Sequence, residues 1–215
     1  MSLFRLDASI RVEGSVSRQI ADVVEAAWRT GHPDAEVVAR HIGSDPVPAT
    51  TWAAAVGASM SPSDSWTPEQ KDAVELAATL TDELIEADAL LFAVPLYNFG
   101  VSQHFKAYVD LVITDPRMGP GAPPPLAGKP AELVIVRGGS YASGTPREGW
   151  DHSTGWVRRI LEDVWKLDLT VVETEFTLAA VNPALAEFRE VGEQMRKAAE
   201  ELAHAHGTTL GLAVG

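Results

Sequence analysis

An unbroken apolar segment, Leu90-Leu91-Phe92-Ala93-Val94, runs straight into Pro95-Leu96-Tyr97-Asn98-Phe99-Gly100. A run of this kind suits a strand covered on both faces, the condition of the middle strands of a parallel sheet. Pro95 ends the strand, and a helical pattern resumes at Val101. In open α/β sheets ligands bind beyond the carboxyl ends of the strands. A rigid turn carrying Tyr97, Asn98 and Phe99 at that point offers a flat apolar wall, with amide groups to bond the edge of a planar ring.

The rest of the chain alternates strand and helix, which implies an α/β fold with a mostly parallel sheet. Leu3 to Ala8 reads as the first strand. Ser15 to Trp28 reads as a helix, with Val16, Ile20, Val23, Val24 and Ala27 at helical spacing. Ala35 to His41 is a second, more polar strand. Residues 43–66 form an excursion with a short helix around Trp52 to Val56. Thr67-Pro68-Glu69-Gln70 starts a helix with a capping threonine, a proline in the first turn and a glutamine at the capping-box position. That helix runs to Glu86, and Ala89 to Val94 is the third strand. Further elements are a helix from Ser102 to Ile113, a Pro/Gly-rich irregular stretch over 115–130, and a strand from Glu132 to Val136. A polar loop over 137–149, a helix from Trp150 to Trp165, a strand from Leu169 to Leu178 and a helix from Pro183 to His206 complete the chain. The pattern predicts one domain over residues 1–215. It is a flavodoxin-like three-layer sandwich with a five-stranded parallel sheet of order 2-1-3-4-5 and helices on both faces.

In that order strands one, three and four are neighbours, so the loops that follow them converge. The first, Ser9 to Ser17, places three serines before a helix N-terminus, where unpaired N–H groups and the helix dipole stabilise a phosphate. Ser15 is equally suited to capping that helix. The second loop is Pro95 to Gly100. The third, Val136-Arg137-Gly138-Gly139-Ser140-Tyr141, has paired glycines that permit close backbone approach to a ligand, and Arg137 is placed to stabilise negative charge. Each loop alone also reads as ordinary packing or a plain turn. Together they form a phosphate cradle, a ring wall and a row of N–H donors, which are the needs of a flavin nucleotide.

Composition excludes several classes. Net charge is −13, which disfavours nucleic acid and anionic membrane surfaces. There is no cysteine, hence no disulfide, thiolate metal site or thiol catalysis. Without a signal-peptide pattern or a run of membrane-spanning length, the chain is expected in the cytoplasm.

On these residues the chain resembles the family of FMN-dependent NADH-azoreductases and NAD(P)H:quinone oxidoreductases. The matching positions are Ser9 with Gly14-Ser15-Val16-Ser17, then Pro95-Leu96-Tyr97-Asn98-Phe99 with Val101-Ser102 and Lys106, then Arg137-Gly138-Gly139. Ser63 with Thr67-Pro68 and the Leu126-Gly128-Lys129 segment extend the likeness over nearly the whole chain. The resemblance implies FMN, with NADH or NADPH as electron donor, and ping-pong transfer of two electrons to a quinone, azo or related N=N or C=N acceptor. It also implies a homodimer with active sites at the interface. Carried over, Ser9, Ser15, Val16 and Ser17 would hold the FMN phosphate, and Pro95, Leu96, Tyr97, Asn98 and Phe99 would meet the isoalloxazine. Val136, Arg137, Gly138 and Gly139 would line its far edge, with Tyr141 beside them. No side chain need act as acid or base, because the flavin carries the hydride chemistry. A flavodoxin-like electron carrier without small-molecule turnover is the alternative.

Three departures bear on the substrate. Val136 stands where the family has serine. The 113–125 segment lacks the aromatic residue usual over the flavin. Leu161-Glu162-Asp163-Val164-Trp165 replaces an apolar lining, so Asp163 is expected at the pocket rim, favouring a polar or cationic substrate. A solvated helix face is the competing reading of Asp163. Gly138-Gly139-Ser140-Tyr141-Ala142 imitates a hydrolase nucleophile elbow, but no helix follows it. His104, His204 and His206 read as surface residues.

Overall fold

The computed structural model describes residues 1–119 and 121–212. Pro120, in the expected irregular stretch, and residues 213–215 of the expected domain lie outside the described residues. Five parallel strands form one sheet in the order β2-β1-β3-β4-β5. They are β1 (Ser2–Asp7), β2 (Glu36–Arg40), β3 (Ala89–Pro95), β4 (Pro130–Val136) and β5 (Asp168–Thr174). The helices are α1 (Val16–Gly31), α2 (Thr51–Ser59), α3 (Pro68–Glu86), α4 (Gln103–Val112), α5 (Thr154–Arg158) and α6 (Arg189–Thr209). The expected flavodoxin-like order is the observed one.

Alternation along the buried strands separates two cores. Phe4, Leu6, Leu90, Phe92, Val94, Leu133 and Ile135 face α3, α4 and α5, meeting Leu80, Leu84, Phe105, Val109, Val157 and Trp165. Leu3, Leu91, Ala93, Val134 and Val172 point the other way onto Ile20, Val24 and Trp28 of α1 and Ala199 and Ala203 of α6. β3 is buried throughout, as a double-covered strand must be. Glu132 is the exception within β4. Its carboxyl is fully buried between the Thr170 hydroxyl and His206 Nδ1, and burial pushes it above the usual carboxylate range against those two hydrogen bonds.

Local signals hold where capping chemistry dictates. Thr67 Oγ1 accepts from the Gln70 N–H at 3.3 Å, and Gln70 Oε1 accepts from the Thr67 N–H at 2.9 Å. α1 and α6 pack so closely that a Cβ on Gly207 would stand 2.4 Å from the Val24 carbonyl oxygen.

Three boundaries differ from expectation by four residues or more. β5 ends at Thr174 instead of Leu178, because residues 176–178 bond across to the loop after β4 rather than continuing the ladder. The helix expected from Trp150 begins at Thr154 and passes into a π-turn over Arg159–Val164. The last helix is preceded by a 3₁₀ turn over Pro183–Phe188. Register aligns the strand ends, with Asp7 beside Ala93 and Pro95 beside Val136. The loops after β1, β3 and β4 therefore start at nearly the same height.

Candidate functional site

In the loop after β1, Ser15 caps α1 by accepting from the Arg18 N–H at 3.4 Å. The Ser15 and Ser17 hydroxyls lie 3.2 Å apart. An α-helix leaves its first N–H groups without intrahelical acceptors. Ser15 serves Arg18 and Gln19, while the N–H groups of Val16 and Ser17 have no protein acceptor among the described residues. Ser9 is also buried, and its hydroxyl lies 3.2 Å from that of Tyr97. The Tyr97 hydroxyl further accepts from the Ile10 N–H at 3.3 Å. One phenol thus touches both the serine loop and its own turn.

That turn is a two-residue hairpin. Tyr97 and Gly100 exchange N–H···O=C bonds of 3.3 and 2.9 Å. Between them Asn98 and Phe99 have φ of 47° and 67°, the left-handed pair that a type I′ turn demands. A bulky residue in this region costs on the order of 1–3 kcal/mol and persists only where its surroundings impose it. Those surroundings are visible. The Phe99 carbonyl accepts from the His152 N–H at 2.9 Å, and its ring meets Trp150 at 5.4 Å and Tyr141 at 6.3 Å, both edge-on.

In the loop after β4, the carbonyls of Arg137, Gly138 and Gly139 accept from the N–H groups of Thr177, Leu178 and Phe176 at 3.1, 3.2 and 3.4 Å. The N–H groups of Gly138 and Gly139 have no protein acceptor among the described residues. Gly138 packs closely against Leu178: a Cβ there would lie 2.7 Å from Leu178 Cδ1, so a larger residue would displace that side chain.

The three loops enclose a cleft of about 390 Å³ lined by Ser9, Ser15, Val16, Ser17, Pro95, Leu96, Tyr97, Val136 and Gly138. Of the other residues predicted for the site, Gly139, Asn98 and Phe99 stand beside the cleft in the same loops. Three side chains depart from expectation. Arg137 points into a carboxylate cluster, 2.6 Å from Asp151 and 2.8 Å from Glu173, so its charge is neutralised away from the cleft. Tyr141 lines the neighbouring cavity between β5 and α6. Asp163 is exposed and paired with Arg159 at 3.1 Å, on a solvated face and not at the rim. Burial works to raise the Asp151 carboxyl, but hydrogen bonds from Thr154, Ser153 and Arg137 hold it below its usual range.

The donor set fits a flavin mononucleotide. Orphan N–H groups and two buried hydroxyls gather at a helix N-terminus for the phosphate. Pro95, Leu96 and Tyr97 form an apolar wall, and two free N–H groups stand at Gly138 and Gly139.

The family model described as a flavodoxin-like fold matches residues 1–201. The chain belongs to that family. A protein of Frankia alni named FMN-dependent NADH:quinone oxidoreductase is 42% identical over 201 residues, spanning 93% of this chain and 95% of that protein. A Frankia casuarinae protein of the same name is 41% identical over 188 residues, covering 86% and 89%. An azoreductase structure from Bacillus anthracis superposes with a TM-score of 0.77 at 20% identity, covering 98% of this chain and all of that one. This last likeness speaks for the fold.

Within this flavodoxin-like family member, the cleft also holds residues that sequence reasoning missed. Thr177, Leu178, Ala180 and Val181 come from the turn after β5, and Gln19 and Arg196 from α1 and α6. Leu178 was hidden because its segment reads as continuing strand. Arg196 has the pattern of a solvated helix residue, and only the α1–α6 packing brings it to the cleft.

Proposed function

We propose that this chain is an FMN-dependent NADH:quinone oxidoreductase, a single domain that carries its cofactor in the cleft between the loops after β1, β3 and β4. The observation that carries the reading is the coincidence of orphan donors, buried serines and an apolar wall in one cleft, in a chain more than two-fifths identical to a relative of that name. When bound, FMN supplies two-electron hydride chemistry between a nicotinamide donor and a quinone or azo acceptor.

The residues of the chain bind and orient. The N–H groups of Val16 and Ser17, with the hydroxyls of Ser9, Ser15 and Ser17, hold the phosphate at the α1 dipole. Pro95, Leu96 and Tyr97, together with the Asn98-Phe99 turn, wall the ring. Val136 keeps its neighbours in line through its backbone. The N–H groups of Gly138 and Gly139 stabilise negative charge on the ring's polar edge, a role that preorganised backbone donors serve well. Arg137 and Tyr141 act through the loop they anchor. The exposed rings of Phe99 and Trp150 beside the cleft support a homodimer whose interface completes the active site. Dependence on NADH favours a cytoplasmic location; among the described residues no helix is long and apolar enough to cross a membrane.

The purified protein is expected to be yellow, or to quench added FMN fluorescence at micromolar concentration. Anaerobic mixing with NADH is expected to bleach the bound flavin, and a quinone to restore its colour. A colourless protein that leaves FMN fluorescence unchanged overturns the reading. Bound flavin that NADH cannot bleach points instead to an electron carrier.

A further inference from the structure

The cleft lies in a chain of net charge −13, and one exposed cation stands by the loops that bound its ring end. Arg147 belongs to the loop after β4 and faces the turn after β3. Its guanidinium carbon is 5.9 Å from the centre of the Phe99 ring, and a Cβ on Gly139 would come within 3.1 Å of its Nη1. It is exposed and has no carboxylate partner among the described residues. The acids around it are committed elsewhere. Glu148 accepts from the Ser143 hydroxyl and the Gly144 N–H. Asp151 is held by Arg137, and Glu175 accepts from the Tyr141 N–H. The loop that carries Arg147 is closed on itself by N–H···O=C bonds from Thr145 to Ala142, Glu148 to Thr145 and Trp150 to Arg147. The cation is therefore presented by a built turn, next to an edge-on Phe99–Trp150 pair.

Exposed aromatic rings beside a guanidinium without a carboxylate partner select a planar ring that bears an oxyanion, since guanidinium matches sulfonate and carboxylate with paired N–H donors. We propose that Arg147 sets the acceptor preference of this enzyme, favouring planar aromatic acceptors that carry a sulfonate or carboxylate over uncharged ones. The inference rests on the reading that the cleft holds the flavin ring against the turns after β3 and β4. It reverses the expectation of a cationic substrate drawn from Asp163, which lies on an exposed helix face.

The test uses FMN-loaded enzyme, saturating NADH, fixed ionic strength and two acceptors, menadione and a naphthoquinone sulfonate. Arg147→Gln is expected to lower kcat/KM for the sulfonate about tenfold, mainly through KM, and to leave menadione within about twofold. Arg147→Lys retains most of the sulfonate rate. Comparing each variant with the parent enzyme for the same acceptor cancels the difference in redox potential between the two quinones. A second readout needs no turnover: naphthalene sulfonate is titrated into oxidised holoenzyme and followed by the flavin spectrum, and its affinity is expected to fall in Arg147→Gln by the same factor. Equal losses for both acceptors would reduce Arg147 to a support for Phe99 and overturn the inference, as would an unchanged sulfonate rate. If the parent enzyme is bleached by NADH and reduces menadione while the variant keeps the parent ratio, this inference alone fails. If NADH does not bleach the parent enzyme, the functional reading fails and takes this inference with it.

Discussion

The Ser15 hydroxyl closes the first turn of α1 by accepting from Arg18, whereas the Ser17 hydroxyl has only that of Ser15 as a partner among the described residues. The two serines should therefore separate on mutation. Ser17→Ala removes a donor to the phosphate and leaves the α1 cap in place, and a hydrogen bond to a charged group contributes about 1.5–3 kcal/mol. FMN affinity, read by fluorescence quenching, is expected to weaken roughly 10- to 100-fold, with the melting temperature of the FMN-free protein unchanged. Ser15→Ala is expected to weaken FMN similarly and also to destabilise the FMN-free protein by about 1 kcal/mol through the lost cap. Asp151 offers a second separation. Its folded pKa lies below the usual 3.8, so its contribution to stability is complete above that value and is lost as pH falls through the lower folded value. Asp151→Asn is expected to flatten that acid limb of the stability profile, followed by denaturant melts at successive pH values. Arg137 shows what residue-level reading of a sequence cannot reach. An arginine beside paired glycines suggests an anion site, and only the fold reveals that Asp151 and Glu173 neutralise it.

Among the elements, α1 and α6 pack closely through Gly207. The Gly207 site sets two effects against each other. Replacing glycine by alanine inside a helix gains about 1 kcal/mol of intrinsic propensity. The added Cβ would meet the Val24 carbonyl at 2.4 Å and the Ala27 Cβ at 2.9 Å, and a backbone oxygen in a helix cannot step aside. Overpacking of this kind costs about 1–3 kcal/mol, so Gly207→Ala is expected to be net destabilising, lowering Tm by several degrees in a thermal melt. Element identity was legible in the sequence wherever local chemistry decides it. The capping box at Thr67 and the apolar run of β3 are the clear cases. The end of β5 was not legible. Glu175 to Leu178 keeps a strand-like composition, and the competing partners for its N–H groups, the carbonyls of residues 137–139, are distant in sequence.

For the whole molecule, the convergence of three loops followed from strand order, and strand order followed from the match of five alternating strands to the flavodoxin-like arrangement. The site was therefore readable to the level of loops. Its finer make-up was not, because Arg196 and Leu178 come to the cleft through packing between elements that no local pattern announces. The shared phenol of Tyr97 has a consequence at this largest scale. Its oxygen touches Ser9 and the backbone of Ile10 at one end of the cleft, while its own backbone belongs to the turn at the other. Occupancy of either half should then stiffen the vacant one. Riboflavin and inorganic phosphate, offered as separate molecules, are expected to bind with positive cooperativity, seen as a tighter riboflavin titration when phosphate is present. Tyr97→Phe, which keeps the ring and deletes the oxygen, should make the two fragments indifferent to one another.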